Sequence, residues 1–238
     1  MSRAAGRVLT AVGLAFALVM IAGGTTSLIS VWWLRSEDVT TTFGATSSVR
    51  VYSGCGSVTV EGEERSDIEL TGTIWWSFTK PRVESTEVDG VRVVQVSCDG
   101  VSLGVGNTAN VTLHVPSATA VTVRASASAL SVRGLAGDLD LRSDGGAVEG
   151  SRLDAASVRA ASSAGTVRLS FTSPPRDVTA SSSGGSVTVL LPTGAETYHV
   201  TAKSSGGSTD VRVRTDPQSA RAVDARSSAG SVLVDYVG

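Results

Sequence analysis

The stretch ASSSGGSVTVLLP, residues Ala180–Pro192, places an apolar alternation directly after a cluster of serines and glycines. Counted from Gly185, apolar or small residues stand at −7, −5, +2 and +4, and a serine stands at −3. Alternation with period two is typical of a β-strand that buries one face. The count from −3 to +2 is odd, so the chain must turn at the Ser/Gly cluster if both halves are to face one core.

The same frame recurs through much of the chain. Its other zero points are Gly56, Ser128, Gly146, Gly165, Gly207 and Gly230. From Ser128 onwards, successive zero points lie 18 to 23 residues apart. Two short strands per repeat of this length, joined by a constant corner, predict the coils of a solenoid. We therefore predict an all-β fold, a repeat domain that resembles a parallel β-helix or β-solenoid.

The corner positions have predicted structural roles. Glycine is expected there because it reaches backbone angles that strain other residues. The predicted corner glycines are Gly56, Gly146, Gly165, Gly185, Gly207 and Gly230. Serine hydroxyls at −3 are expected to form a ladder that bonds backbone groups of the turn or of adjacent coils. The predicted ladder residues are Ser53, Ser143, Ser162, Ser182, Ser204 and Ser227.

Residues 63–117 interrupt the repeat. The segment DIELTGTIWWSF reads as a strand, VDGVRVVQVSC contains a hairpin turn at Asp89-Gly90, and NVTLHVP, residues Asn110–Pro116, is a strand that ends at proline. We predict an irregular antiparallel insertion here.

The first 35 residues predict a membrane segment. No charge interrupts the run from Val8 to Leu34, which as a helix would be ~40 Å long, and Arg3 and Arg7 precede it. The positive-inside rule then places the N-terminus in the cytoplasm. We predict a single-pass transmembrane helix with its cytoplasmic N-terminus over residues 1–35, a short linker over 36–42, and an extracytoplasmic domain over 43–238. A cleaved signal peptide is the alternative.

The chain contains two cysteines, Cys55 and Cys98, and both lie in the part predicted to be exported. An even number of cysteines in an oxidising compartment predicts a disulfide. Two unpaired, half-buried thiols are the alternative.

The sequence contains no pattern that predicts catalysis or cofactor binding. It has no GxxxxGK[ST] phosphate loop, and its only two histidines, His114 and His199, are distant from each other and from any cysteine. Neither a Ser–His pair nor a zinc site is predicted. Beyond residue 35 the chain is acidic overall, which argues against a nucleic-acid partner. We predict no catalytic, cofactor-binding or metal-ligating residues.

Several motifs resemble a known family. They are SGCGSVTVEG from Ser53, VTLHVP from Val111, and the corners SSAGTVRL, SSGGSVTVLLP, SSGGSTDV and SSAGSVLV that begin at Ser162, Ser182, Ser204 and Ser227. From about Phe43 to Gly238 the chain resembles the bacterial "putative-adhesin" family of β-strand repeats, which is similar to GIN-type adhesin head domains. The resemblance implies a surface-exposed, β-helix-like domain and supplies no catalytic residues.

Three functions remain open from the sequence. The leading one is a membrane-anchored, adhesin-like binding or scaffold module for a cell-envelope polymer or protein. The second is a polysaccharide lyase or hydrolase using Asp138 and Asp140, against which stand the scarcity of aromatic residues in the coils and the nearby Arg142. The third is self-association through an uncapped last strand, Ser231–Tyr236.

Overall fold

The computed structural model describes residues 34–77, 79–98 and 107–237, and within these ranges the chain forms nineteen β-strands and no helix. In chain order the strands are β1 (Arg35–Gly44), β2 (Ser48–Ser53), β3 (Ser57–Glu63), β4 (Asp67–Trp76), β5 (Arg82–Val88), β6 (Val91–Ser97), β7 (Thr108–Pro116), β8 (Ala120–Ala125), β9 (Ala129–Arg133), β10 (Leu139–Ser143), β11 (Val148–Leu153), β12 (Ser157–Ser162), β13 (Val167–Phe171), β14 (Asp177–Ser182), β15 (Val187–Leu191), β16 (His199–Ser204), β17 (Thr209–Val211), β18 (Ala222–Ser227) and β19 (Val232–Tyr236).

The strands form two sheets that enclose a single core. The ten-stranded sheet has the order β1-β4-β7-β3-β9-β11-β13-β15-β19-β17, and the nine-stranded sheet has the order β16-β18-β14-β12-β10-β8-β2-β6-β5. Neighbours are parallel except at one end, where β1, β4 and β7 pair antiparallel in one sheet and β5 pairs antiparallel with β6 in the other. Each Ser/Gly corner carries the chain from the nine-stranded to the ten-stranded sheet. Both strands of a repeat therefore face the same core, as the odd spacing at the corner requires.

The predicted parallel β-helix or β-solenoid is wrong, although the all-β class is correct. The sheets are mixed rather than parallel throughout, and among the strands of the described ranges neither sheet closes, since each ends in an edge strand on both sides. The sequence pattern could not separate these cases. Alternation specifies which face of a strand is buried and is the same in an open two-sheet fold as in a closed coil.

The repeats also do not stack in sequence order. The last repeat, β18–β19, lies between β14–β15 and β16–β17, so the strand Ser231–Tyr236 is covered on both sides by other strands. The edge strands at this end of the two sheets are β16 and β17. Self-association through this end stays a prediction, and these two strands are the ones that would form the contact.

Single-pass membrane anchoring, predicted from the first 35 residues, is not supported by the structure. None of the described segments is an apolar helix of the length that a bilayer requires. Residues 1–33 of the predicted helix lie outside the described residues. The last residue of that segment, Arg35, begins β1, and the predicted linker over 36–42 lies within the same strand, which pairs with β4 along its whole length.

The insertion over 63–117 is only partly antiparallel. The hairpin turn joins β5 to β6, and both Asp89 and Gly90 have positive φ, at 51° and 74°, as a type I′ turn requires. Strands β6 and β7 pair parallel with β2 and β3, so they add a further layer to the stack. The first repeat, β2–β3, is therefore enclosed between this layer and β8–β9.

A serine ladder runs along the corners. In four consecutive layers the serine hydroxyl donates to the backbone carbonyl of the zero-point residue in the neighbouring layer and accepts from the N–H of its own corner glycine. Ser182, for example, donates to the Gly165 carbonyl at 2.7 Å and accepts from the Gly185 N–H at 2.8 Å. Ser204 in the outermost layer bonds Gly230 and Gly207 in the same way. Ser53 differs, because its hydroxyl donates to the Cys55 carbonyl of its own corner.

Glycine is required at most of these corners for a reason other than backbone angle. Of the six corner glycines only Gly56 has a positive φ, of 78°. At Gly146, Gly165, Gly185 and Gly230, a Cβ atom would collide with backbone atoms of the adjacent corner. Close approach of the stacked corners therefore explains the glycines. The serine ladder and backbone hydrogen bonds, such as that from the Gly184 N–H to the Ser163 carbonyl, join the corners at this distance.

We expect Ser182→Ala to lower the free energy of unfolding by roughly 2 kcal/mol, because it leaves the half-buried Gly165 carbonyl and the Gly185 N–H without their partner. Ser181→Ala, one residue earlier on the outer face of the same strand, should change it by less than about 0.5 kcal/mol. Chemical denaturation of both variants measures the difference. Equal losses would contradict the role of the hydroxyl.

Candidate functional site

A groove of about 560 Å³ lies on the outer surface of the nine-stranded sheet, beside the first corners. Its bed is a row of four side chains from four neighbouring strands: Gln95, Tyr52, Arg124 and Arg142. Corner residues of the same layers form its side, among them Ser53, Gly54, Ser97, Cys98, Ser126 and Asp144. Polar side chains thus converge on one concave surface, as at many ligand sites.

Strand register creates the row. Tyr52 on β2 lies opposite Gln95 on β6 and Arg124 on β8, and Arg124 lies opposite Arg142 on β10. The flanking residues on each strand are buried, as Val51 and Ser53 are on either side of Tyr52, so the row must point outward. Neighbouring strands are ~4.8 Å apart, which makes the row roughly 14 Å long.

Asp140 organises the charges at one end of the groove. Arg124 donates two hydrogen bonds to its carboxylate, at 3.0 and 2.9 Å, and Arg142 Nε lies 3.4 Å from Asp140 Oδ1. The hydrogen bond from Arg124 is the main reason that the pKa of Asp140 is lowered, against the opposing effect of burial. The carboxylate stays charged and holds Arg124 in place.

Exposed side chains of the row remain available to a ligand. Tyr52 is 43% exposed, and the Arg142 side chain is 56% exposed. Both are supported by a hydrogen-bonded sheet rather than by a loop. Little conformational freedom of the backbone would be lost when a ligand binds here.

The predicted disulfide is confirmed, and it borders the groove. Cys55 and Cys98 are bonded across a sequence separation of 43. Cys55 lies in the corner after β2 and Cys98 directly follows β6, so the bond ties together the two layers that supply Tyr52 and Gln95. A hydrogen bond of 2.9 Å from the Gly54 N–H to the Val96 carbonyl reinforces the same junction.

The structure separates the other residues that the sequence singled out. The Ser/Gly corners connect the two sheets, and their serines form the ladder that joins neighbouring layers. Of the ladder serines only Ser53 lines the groove. Asp138 is exposed outside the groove lining, while Asp140 is held by two arginines, so the two aspartates do not form a free carboxylate pair. The groove was not predicted, because it depends on the pairing of β6 with β2 across an insertion.

A second cluster on the opposite sheet was also missed by sequence reasoning. Glu61 and Glu63 of β3 and His114 of β7 bring their side-chain ligand atoms within 4.8 Å of one another. The spacing of Glu61 and Glu63 signals a shared strand face. Nothing in the local sequence indicates that β7 pairs beside β3.

One solved bacterial structure shares this fold, and others match the chain less closely. The chain is similar to a "putative cell adhesion protein" from Clostridium sporogenes, with 12% identity and a TM-score of 0.53 over 85% of this chain and 100% of that chain. A "putative adhesin" from Bacteroides fragilis matches with 12% identity and a TM-score of 0.47, over 84% of this chain and 97% of that one. No protein-family model and no curated protein matches the chain. The resemblance stated from the Ser/Gly corners is thus confirmed, and it concerns the fold.

Proposed function

We propose that this chain is an adhesin-like binding module that holds a glycan chain in the groove around Tyr52. The observation that carries the proposal is the outward row of Gln95, Tyr52, Arg124 and Arg142 on a rigid sheet. The fold shared with the cell adhesion protein supports a binding role. Membrane attachment forms no part of the proposal.

The chemistry of the groove favours a glycan over a protein surface. The core of a protein–protein interface is enriched in apolar and aromatic side chains and depleted of charged ones. Here one aromatic ring stands among guanidinium, amide, hydroxyl and carboxylate groups, and the apolar residues of these strands face the core. Such groups match a ligand with many hydroxyls, on which the ring of Tyr52 can pack while its neighbours exchange hydrogen bonds.

Binding rather than catalysis is the second part of the proposal. A general acid must carry a proton at the working pH, and hydrogen bonding by Arg124 lowers the pKa of Asp140. The carboxylate is then ionised at neutral pH and already accepts two hydrogen bonds from Arg124. Its role in this proposal is to orient the arginines.

Tyr52→Ala and Arg142→Ala are expected to weaken glycan binding at least ~10-fold, because each removes an exposed contact of the groove. The chain is first screened against immobilised glycans and peptidoglycan fragments, and the affinity for the best ligand is then measured by calorimetry. Arg226→Ala is the matched control. Arg226 lies in the same row across the sheet and pairs with Asp224 as Arg142 does with Asp140, but it lies outside the groove.

The control variant should bind as the unchanged chain does. If no glycan binds, the proposal fails. It also fails if Arg226→Ala weakens binding as much as Arg142→Ala, since the contact would then be general attraction to surface charge.

A further inference from the structure

Glu61, Glu63 and His114 form a cluster of potential metal ligands on the outer face of the ten-stranded sheet. His114 Nδ1 lies 2.8 Å from Glu63 Oε1 and 3.7 Å from Glu61 Oε2. Ligands 2.0–2.2 Å from a tetrahedral zinc ion are roughly 3.3 Å apart. The two distances fall on either side of that spacing, so small rotations of the side chains would place all three around one ion.

Strand pairing holds the three side chains together. Glu61 and Glu63 are two residues apart on β3 and share its outer face, while β7 runs parallel beside β3 with His114 opposite Glu61. His114 also lies opposite Glu69 of β4 on its other side. The imidazole therefore stands in a row of carboxylates, supported by a hydrogen-bonded sheet.

The arginines near the cluster leave the oxygen of Glu63 that faces His114 uncontacted. Arg65 donates to Asp67 and Glu69 at 2.9 and 3.1 Å, and it approaches Glu63 only through Oε2, at 3.5 Å. The other oxygen of Glu63, Oε1, is the one directed at His114. Arg133, which lies opposite Glu61 on β9, directs its Nε to the Ser151 hydroxyl at 3.3 Å.

The charge balance favours a cation at this cluster. The guanidinium of Arg65 contacts three carboxylates, those of Glu63, Asp67 and Glu69, and Glu61 adds a fourth carboxylate beside His114. Even with Arg133 on the neighbouring strand, four carboxylates face two guanidinium groups. Arg65 also fixes the orientation of Glu63, as outer partners of metal ligands commonly do. One face of the Glu61–Glu63–His114 cluster stays open to solvent, because the three side chains are 22–44% exposed.

We propose that Glu61, Glu63 and His114 bind one divalent transition-metal ion of the zinc class. The imidazole nitrogen selects such an ion over Ca²⁺ and Mg²⁺, which prefer oxygen ligands. Water would complete the coordination. The ion would link β3 to β7, which are joined in the chain only through β4, β5 and β6, and would strengthen the docking of the insertion. This site is independent of the glycan groove.

The test is a calorimetric titration of the chelator-treated, untagged chain with ZnCl₂. We expect one Zn²⁺ per chain and a melting temperature that rises with zinc concentration, since the ion binds only the folded state. His114→Gln and Glu61→Gln should each weaken zinc binding at least ~10-fold. CaCl₂ should give no comparable heat.

His199→Gln is the matched control, because His199 is the only other histidine and lies on β16. It should leave zinc affinity unchanged. Zinc binding that survives His114→Gln, or that is lost equally in His199→Gln, would overturn the proposal, as would the absence of binding. Circular dichroism shows whether each variant folds, and glycan affinity of His114→Gln should equal that of the unchanged chain if the two sites are separate.

Discussion

Gly146→Ala is expected to lower the free energy of unfolding by roughly 3 kcal/mol or more. The added Cβ would collide with the backbone carbonyl of Ser128 in the neighbouring corner. No flexible side chain can move aside there, so either the stacking distance or the strand hydrogen bonds must yield. The ladder bond from Ser143 to the Ser128 carbonyl, 2.9 Å long, would be strained by the same displacement.

Gly145→Ala is the matched control for this variant. Gly145 is the preceding residue of the same corner, and a Cβ atom there would lie 3.4 Å from the Ala127 Cα, which is an ordinary contact. We expect Gly145→Ala to change stability by less than about 0.5 kcal/mol, whereas Gly146→Ala should lower the melting temperature by roughly 10 °C. Calorimetric melting of both variants decides the matter. Similar melting temperatures would show that close stacking of the corners is not what requires glycine.

Removing the disulfide by replacing Cys55 and Cys98 with serine together is expected to cost roughly 4 kcal/mol. The bond closes a loop with a sequence separation of 43, and on the chain-entropy account its loss restores that much freedom to the unfolded chain. The loop contains β3, β4, β5 and β6, so the variant loses the cross-link between the end of β6 and the corner of the first repeat. Urea unfolding with the denaturation midpoint as readout measures the effect.

Reduction supplies the control for the disulfide. Dithiothreitol should shift the midpoint of the unchanged chain to that of the double serine variant, and it should have no effect on the variant itself. A variant as stable as the unchanged chain would mean that packing of β6 against β2 alone supports this end.

Short-range sequence patterns were sufficient to predict much of the fold. Alternation around each zero point identified the buried residues of the inner repeat strands, including Val178, Ala180, Val187 and Val189, all at most 1% exposed, whereas Val211 on the edge strand β17 is 37% exposed. The turn at Asp89-Gly90 and the disulfide were also predictable, because turn chemistry and cysteine number are properties of the sequence itself. The groove and the Glu61–Glu63–His114 cluster were not, since each depends on which distant strand lies beside which.

The order in which the layers stack could not be predicted either, because it also depends on contacts between distant segments. The residues at −5 are Ala180, Ala225 and Ala202 in three layers that stack in this order, although the sequence order is different. Because their inner surfaces are nearly identical, local sequence does not indicate which layer stacks on which. The connection after β17 distinguishes them: it pairs Thr215 with the buried Tyr198 and buries Val213.

The sequence alone predicts the repeat, the inward face of the repeat strands, the positions of the corners and a disulfide between the two cysteines. The pairing of distant strands sets the remaining features: the repeats form two open mixed sheets, the last repeat lies inside the stack, and glycine serves close approach at corners such as Gly146. The difference arises from the sequence distance over which each kind of interaction acts. Alternation and turn chemistry act between neighbours in the chain, whereas layer order, sheet closure and contact between corners depend on packing between segments that are far apart in sequence.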